Sequence, residues 1–172
     1  MKIRISFIFI ILVVFFIVTV FYKSLFENKN YVPKNINYKI ENISIKDFYT
    51  ENNKELKSLF GEKKLIAINI WASWCLPCRK EHQHVKNLST VDNLKLIGLN
   101  YKDKKNNAQE FLEELGNPFD TILIDTDGTK AIFFGAYGVP ETIILDRELK
   151  IIKKYIGPLS AESVKEIKTF NQ

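Results

Sequence analysis

The chain has 172 residues, of which 46% are hydrophobic, and its formal net charge is +5. This length accommodates one ordinary domain plus a short appendage, and the apolar content supports a packed core, which excludes a disordered or fibrous protein. The lysines are scattered among acidic residues instead of forming a concentrated basic patch, so nucleic-acid binding is not expected.

The N-terminal segment predicts a membrane anchor. Residues 5–22 contain no charged side chain, and Lys2 and Arg4 precede them. This length is just enough to cross a bilayer as a helix, and leading basic residues favour a cytoplasmic N-terminus. A cleaved signal peptide is the alternative, but no small-residue cleavage site follows the apolar stretch. We therefore predict residues 1–4 in the cytoplasm, a transmembrane signal anchor at 5–22, and the remainder across the membrane.

The rest of the chain divides into a tether and one domain. Residues 23–38 are polar, rich in Asn and Lys, and contain Pro33, a composition typical of a linker. The domain is predicted at 39–172. Its apolar, β-branched runs predict strands, and helical spacing with end signals predicts helices. The strands are predicted at 65–71, 94–99, 121–125, 141–145 and 150–155, and the helices at 77–88, 105–115 and 160–170.

The order of these elements predicts an α/β fold. Strands that alternate with helices favour a parallel sheet covered on both faces. The last two strands flank Asp146-Arg147-Glu148, a spacing that predicts a hairpin and therefore adds antiparallel strands. Ser160 is the predicted N-cap of the final helix. A central mixed sheet flanked by helices, preceded by one N-terminal transmembrane helix, is a thioredoxin-like arrangement.

The two cysteines of the chain, Cys75 and Cys78, lie between a predicted buried strand and a predicted helix. Unpaired N–H groups and the helix dipole stabilise an anion at a helix N-terminus, and a thiolate at Cys75 is such an anion. Thiolates attack disulfides, and Cys78, one turn further on, can then release the substrate. Pro77 suits the first helical turn, and Trp74 supplies a flat apolar lip. We predict a redox-active disulfide, Cys75–Cys78, in a thiol-disulfide oxidoreductase.

A metal site is the alternative use of the same cysteines. Such a site would add His82 and His84 to Cys75 and Cys78, and Cys78 and His82 share a helix face. The two histidines, however, point about 200° apart on an ideal helix, so both cannot easily reach one ion. The redox interpretation is therefore favoured, with no metal and no cofactor beyond the cysteine pair.

Several sequence blocks carry a family resemblance that extends over more than half of the chain. They occur in order as WASWCLPC, RKEHQHV, GLNYKDKKNNAQEFLEELGNPFD and GAYGVPETIILD. In this combination the chain resembles the CcmG/DsbE proteins of cytochrome c maturation. The resemblance implies that Cys75 is the exposed nucleophile, Cys78 the buried resolving thiol and Pro140 a cis-proline that faces them. It also implies functional acidic residues at Glu81, on the active-site helix, and at Glu141, after the cis-proline.

The resemblance further implies a substrate groove. A cis bond at Pro140 would expose the Val139 backbone for pairing with an extended peptide. Tyr137, in the glycine-containing approach to this proline, is a candidate substrate contact together with Trp74. Residues 100–103 resemble an insertion that reshapes the groove beside the active site.

Asn69 marks a departure from thioredoxin itself. Thioredoxins carry a buried aspartate two residues before the tryptophan that ends the strand, whereas an asparagine stands there in this chain. Because asparagine cannot take a proton, a proton acceptor near Cys78 must come from elsewhere, and Glu81 is the nearest candidate. A partly desolvated carboxylate has a raised pKa, which suits an acid or base near neutral pH.

The family resemblance implies a reductant. Its substrate would be the disulfide of the C-x-x-C-H haem-attachment site of apocytochrome c, and a membrane electron donor of DsbD/CcdA type would re-reduce it. The domain would lie on the periplasmic side of a bacterial inner membrane. Two alternatives remain open: a general anchored disulfide reductase of TlpA/ResA type, and a non-catalytic apocytochrome-binding module.

Overall fold

The computed structural model describes residues 2–26 and 39–170. The chain divides into two units, Met1–Tyr31 and Val32–Gln172. The first contains helix α1, Lys2–Phe26, which includes the predicted anchor and the first four residues of the predicted tether. The other tether residues, 27–38, lie outside the described residues. No helix in the described part of the chain is both long enough and apolar enough to cross a membrane.

The second unit is built on one mixed sheet, which has seven strands within residues 39–170. The strands are β1 Ser44–Asp47, β2 Asn53–Glu55, β3 Leu65–Trp71, β4 Leu94–Tyr101, β5 Thr121–Asp125, β6 Glu141–Asp146 and β7 Ile151–Ile156. They lie in the order β2-β1-β5-β4-β3-β6-β7. The central strands β3, β4 and β5 are parallel, and the outer strands pair antiparallel with their neighbours. The predicted α/β fold with a mixed sheet is confirmed.

Helices cover both faces of this sheet. They are α2 Leu76–Leu88, α3 Lys105–Leu115, α4 Thr129–Phe133 and α5 Ala161–Thr169, with a 3₁₀ turn at Leu56–Phe60. Helices α2, α3 and α5 bury Val85, Phe111 and Ile167 in one core cluster, while α4 and the 3₁₀ turn contribute to a second cluster. Because both faces are covered, every residue of β3 is buried.

Some elements differ from the prediction. Strands β1 and β2, the 3₁₀ turn and α4 had no periodic signal, because each is at most five residues long. Tertiary contacts hold them: β1 pairs with β5, and the Asp125 carboxylate accepts hydrogen bonds from the N–H groups of Lys130 and Ala131 in α4. The predicted N-cap Ser160 is confirmed, since it forms a capping box with Ser163.

Gly98 of β4 provides a test of packing in the sheet. A Cβ atom at Gly98 would come within 2.8 Å of both Trp71 Nε1 and the Phe119 ring. These two rings stack at a centroid distance of 5.7 Å and are buried, so they cannot move away freely. We expect Gly98→Ala to lower the free energy of unfolding by about 2 kcal/mol, a typical effect of overpacking, as measured by urea denaturation.

Gly138→Ala is the matched control for this measurement. Nothing lies within 4 Å of a Cβ built at Gly138, so the change in stability is expected to stay within about 0.5 kcal/mol. Equal stability of the two variants would contradict the close approach at Gly98.

Candidate active site

The disulfide lies where β3 ends and α2 begins. The Sγ atoms of Cys75 and Cys78 are bonded, 2.10 Å apart. Cys75 is the N-cap residue of α2, and its Sγ accepts a hydrogen bond from the Cys78 N–H at 3.1 Å. Pro77 occupies the first turn, where a missing N–H leaves no helical bond unmade. When the disulfide is reduced, the N–H groups and the helix dipole therefore favour a thiolate at Cys75.

Two apolar residues next to the cysteines are exposed to solvent, whereas the cysteines themselves are buried. Trp74 is 57% exposed, and Leu76 is also exposed. Cys75 is only 4% exposed and Cys78 is buried, so the exposure implied for Cys75 is not found in the oxidised protein. The physical reason is that both cysteines pack in the core cluster that also contains Val85 and Leu88 of α2. We call the exposed apolar surface of Trp74 and Leu76 the rim. An exposed apolar rim beside buried sulfur atoms suits a protein that recognises the surface of a partner.

The segment after β4 contacts the loop that precedes Cys75. Asp103 accepts hydrogen bonds from the Ser73 N–H at 2.6 Å and the Ser73 hydroxyl at 2.7 Å. The Trp74 indole N–H donates to the Lys102 carbonyl at 3.1 Å. The family resemblance implies only a reshaped groove at residues 100–103, but Lys102 and Asp103 bond the active-site loop directly.

A second loop approaches the disulfide from the start of β6. The Val139–Pro140 peptide bond is cis, and Val139 packs against the core cluster that contains both cysteines. Tyr137 is 71% exposed. Gly135 has a φ of 67°, a conformation that glycine adopts without strain. Glu141, the first residue of β6, pairs with Ile70 near the end of β3. The loop therefore lies at the same edge of the sheet as the disulfide, and it leaves the Tyr137 ring at the surface.

Glu141 lies beneath this loop instead of on its surface. Its side chain is 0% exposed, and Oε1 lies 2.8 Å from Lys154 Nζ in an ion pair. Oε2 accepts a hydrogen bond from the Tyr137 N–H at 2.9 Å. Lys154 also donates to the Gly135 carbonyl. Glu141 Oε1 has no hydrogen-bond partner among the described residues, and the ion pair with Lys154 offsets the cost of burying its charge. In this conformation the buried Glu141 side chain stabilises the loop through its contacts with the Tyr137 N–H and Lys154.

Glu81 is a buried carboxylate one turn beyond Cys78 on α2. Its Oε1 accepts a hydrogen bond from Asn69 Nδ2 at 2.9 Å, and its Oε2 accepts one from the Leu159 N–H at 2.6 Å. Burial raises the pKa of Glu81 to about 7, against the opposing effect of these two bonds. Asn69 Nδ2 also donates to Thr142. The group can therefore gain or lose a proton near neutral pH.

Of the two histidines considered as metal ligands, His82 has a structural role. His82 Nε2 lies 2.8 Å from the Gly116 carbonyl oxygen, and its ring meets Phe111 edge-on at 5.3 Å. Burial lowers the pKa of His82. His82 thus links α2 to α3 and the residue that follows it. Among the described residues, no group of three or more His, Cys, Asp or Glu side chains could hold a metal ion.

The family model described as Redoxin matches residues 37–170. The chain belongs to the Redoxin family. The match includes the whole domain that carries Cys75 and Cys78.

Curated relatives of this redoxin carry thiol:disulfide interchange names, which confirms the resemblance to DsbE proteins. The "Thiol:disulfide interchange protein CycY" of Rhizobium leguminosarum bv. viciae is 46% identical over 103 residues, or 60% of this chain and 55% of that protein. The "Thiol:disulfide interchange protein DsbE" of Escherichia coli (strain K12) is 40% identical over 97 residues, or 56% and 52%. The matched region therefore spans little more than half the length of these relatives.

A solved structure supports the redoxin fold. The thioredoxin domain of a thiol-disulfide oxidoreductase from Bacteroides vulgatus superposes with a TM-score of 0.67, covering 80% of this chain and 99% of that chain. The two sequences are 18% identical, so the likeness establishes the thioredoxin-like fold alone.

The sequence did not predict the contacts of four residues of the redoxin site: Ser73, Asp103, Lys154 and Leu159. The block NYKD marked the neighbourhood of Asp103 but not its contact with Ser73. Lys154 lies on β7, and the pairing of β7 with β6 brings it near Glu141. Leu159 takes part through its backbone N–H, which any residue but proline could supply.

Proposed function

We propose that the protein is a thiol:disulfide oxidoreductase that works through Cys75 and Cys78. The observation that carries this proposal is the Cys75–Cys78 disulfide at the N-cap of α2 in a Redoxin domain. A helix N-terminus favours the thiolate required for exchange. The cis-proline loop lies at the same edge of the sheet as this pair, and Glu81, a buried carboxylate with a pKa of about 7, lies one turn beyond Cys78 on α2.

In the reduced protein, the Cys75 thiolate attacks one sulfur of a substrate disulfide. The substrate disulfide breaks, a mixed disulfide forms with Cys75, and the departing substrate sulfur takes a proton. Cys78, deprotonated with the help of Glu81, then attacks the Cys75 sulfur. The Cys75–Cys78 disulfide forms and the substrate leaves as a dithiol. Two electrons pass to the substrate, and a two-electron donor must restore the protein dithiol.

We propose that the substrate is the C-x-x-C-H disulfide of apocytochrome c, and that a membrane donor of DsbD/CcdA type restores the protein dithiol. The motif blocks and the DsbE and CycY names of the relatives support this choice. The exposed Trp74, Leu76 and Tyr137 offer apolar contacts to a peptide, and the Val139 backbone offers pairing to an extended strand. The residues between the two substrate cysteines would contact these apolar side chains and the Val139 backbone.

We propose that residues 5–22 anchor the protein in a bacterial inner membrane, with the domain on the periplasmic side. Uncharged residues preceded by Lys2 and Arg4 support this orientation. The described apolar side chains of α1 are exposed, as a lipid-facing helix requires. Confinement to one membrane would raise the effective concentration of the protein near membrane-bound partners.

The test is a comparison of two oxidised peptides with the reduced full-length protein. One peptide carries C-x-x-C-H and the other C-x-x-C-A. We expect the second-order rate constant to be about tenfold larger for the first, since loss of a recognised polar group commonly has at least this effect. Equal rates would favour a general reductase of TlpA/ResA type. Failure to reduce either peptide would contradict the oxidoreductase and favour a binding module.

The direction of electron flow is tested by equilibrium with a glutathione redox buffer. A reductant is expected to have a reduction potential near that of thioredoxin, about −270 mV, whereas a value near about −120 mV would identify an oxidant and contradict the proposal.

A further inference from the structure

The ends of β3 and β4 bring two loops side by side. The strands are parallel neighbours, with Trp71 opposite Asn100. Because their carboxyl ends lie at the same edge of the sheet, the residues that follow emerge next to each other. One loop leads to Cys75 and the other contains Asp103. The two loops are 30 residues apart in the chain but in direct contact.

Each oxygen of the Asp103 carboxylate accepts two hydrogen bonds. Oδ2 accepts from the Ser73 N–H at 2.6 Å and from Asn100 Nδ2 at 3.1 Å. Oδ1 accepts from the Ser73 hydroxyl at 2.7 Å and from the Lys104 N–H at 2.8 Å. Hydrogen bonds to a carboxylate are stronger than those between neutral groups. Two of these four bonds join Asp103 to the active-site loop, and the other two fix the carboxylate in its own loop.

The next residue of the active-site loop is held by the same segment. Trp74 is largely exposed, and its indole N–H donates to the Lys102 carbonyl. Cys75 then closes the turn with a hydrogen bond from its N–H to the Ala72 carbonyl at 3.2 Å. Ser73 and Trp74 are therefore the middle residues of a turn that delivers Cys75 to the helix. Their contacts with residues 102 and 103 determine where that turn lies.

We propose that Asp103 is a positioning residue for Cys75: by fixing the Ser73–Trp74 turn, it aligns the nucleophilic sulfur with the start of α2 and with an incoming disulfide. The inference rests on the proposed oxidoreductase function and does not depend on which disulfide is the physiological substrate. A positioning role follows from hydrogen bonding and not from charge. A neutral side chain of the same shape should therefore preserve it.

The test compares Asp103→Ala and Asp103→Asn in the reduced full-length protein, with a short peptide containing a C-x-x-C disulfide as the probe. Asp103→Ala is expected to lower the second-order rate constant per folded molecule about tenfold or more, because small displacements of a reacting group have large effects on rate. Asp103→Asn is expected to stay within about threefold of the wild type. Its amide oxygen can accept from the Ser73 N–H, and its NH₂ group can donate to the Ser73 hydroxyl, so both bonds to the active-site loop are kept. The bond from the Lys104 N–H, within the Asp103 segment, is lost.

Asp146→Ala is the matched control. Asp146 makes the same kind of contact in the β6–β7 turn, where Oδ1 accepts from the N–H groups of Glu148 and Lys150. It lies opposite Leu65, at the end of β3 away from the disulfide, about 20 Å along the strand. Its rate per folded molecule is expected to equal that of the wild type.

Three outcomes would overturn the inference while leaving the proposed function intact. The first is a wild-type rate per folded molecule in Asp103→Ala, with only its urea stability lowered. The second is an Asp103→Asn rate as low as that of Asp103→Ala, which would indicate a charge effect. If Asp103→Ala does not fold, Ser73→Ala is expected to lower the rate about threefold by removing one hydrogen bond, and an unchanged rate is the third. An inactive wild type would instead contradict the proposed function itself.

Discussion

Cys78→Ser is expected to convert the protein into a covalent trap for its substrate. Cys75 would still attack the substrate disulfide, but no second sulfur would be present to release the product, so the mixed disulfide would accumulate. The structure supports this division of roles, because Cys75 is the N-cap residue of α2, whereas Cys78 lies one turn inside the helix. Non-reducing electrophoresis and mass spectrometry of the adduct measure the result.

Cys75→Ser is the matched partner of this experiment. It removes the sulfur that the helix N-terminus stabilises, and the rate of disulfide reduction is expected to fall by about a thousandfold or more, as after loss of other enzyme nucleophiles. No adduct should form. An adduct that forms through Cys78 in Cys75→Ser as readily as through Cys75 in Cys78→Ser would contradict the assignment of nucleophile and resolving thiol.

Glu81→Gln is expected to remove a pH dependence of stability. Burial raises the pKa of Glu81 from 4.5 to about 7 in the folded protein. Between these values the native state holds a proton that the unfolded chain has released, so this contribution to stability is complete below pH 4.5 and is lost as the pH rises through about 7. The loss amounts to about 3 kcal/mol. The stability of Glu81→Gln relative to the wild type should therefore increase over this range, as measured by urea denaturation.

Gln109→Ala is the control for this experiment. Gln109 is exposed on α3 and carries no ionisable group, so its substitution is expected to leave the pH profile of stability unchanged. A difference between wild type and Glu81→Gln that stays constant with pH would contradict the raised pKa of Glu81.

The same variant tests the role of Glu81 in the second chemical step. Above about pH 7 the wild-type carboxylate is ionised, and in the proposed mechanism it accepts the proton of Cys78. Glutamine cannot, so the decay of the mixed disulfide is expected to be about a hundredfold slower, within the usual range of general-base catalysis. Stopped-flow measurement of this decay against pH gives the result. An unchanged profile would exclude a proton-transfer role while leaving the stability prediction intact.

Local sequence patterns were sufficient to predict the cysteine chemistry and the central part of the fold. The apolar run at 65–71 and the helix starting near Pro77 are properties of neighbouring residues, and β3 and α2 form where these patterns lie. The strand, the turn and the helix together place Cys75 at an N-cap. A short-range pattern can determine this arrangement because the N-cap, the proline and the disulfide all lie within the first turn of the helix.

The groups around the cysteines depend on contacts that no local pattern contains. Glu81 owes its raised pKa to burial in the tertiary core and meets the Leu159 N–H 78 positions away. Asp103 reaches Ser73 because β3 and β4 are neighbours. The family motif marked Glu141 as important, but only the pairing of β6 with β7 shows that Lys154 neutralises it beneath the loop.

The sequence by itself thus determined the redox-active pair, Cys75 and Cys78, and the elements on either side of it. The tertiary structure alone decided which carboxylates are buried, what each one binds, and how the loop before Cys75 is held. The physical reason is that helix and strand patterns depend on residues close in the chain. Burial and long-range hydrogen bonds, in contrast, depend on strand order and register, which form only when the whole sheet is assembled.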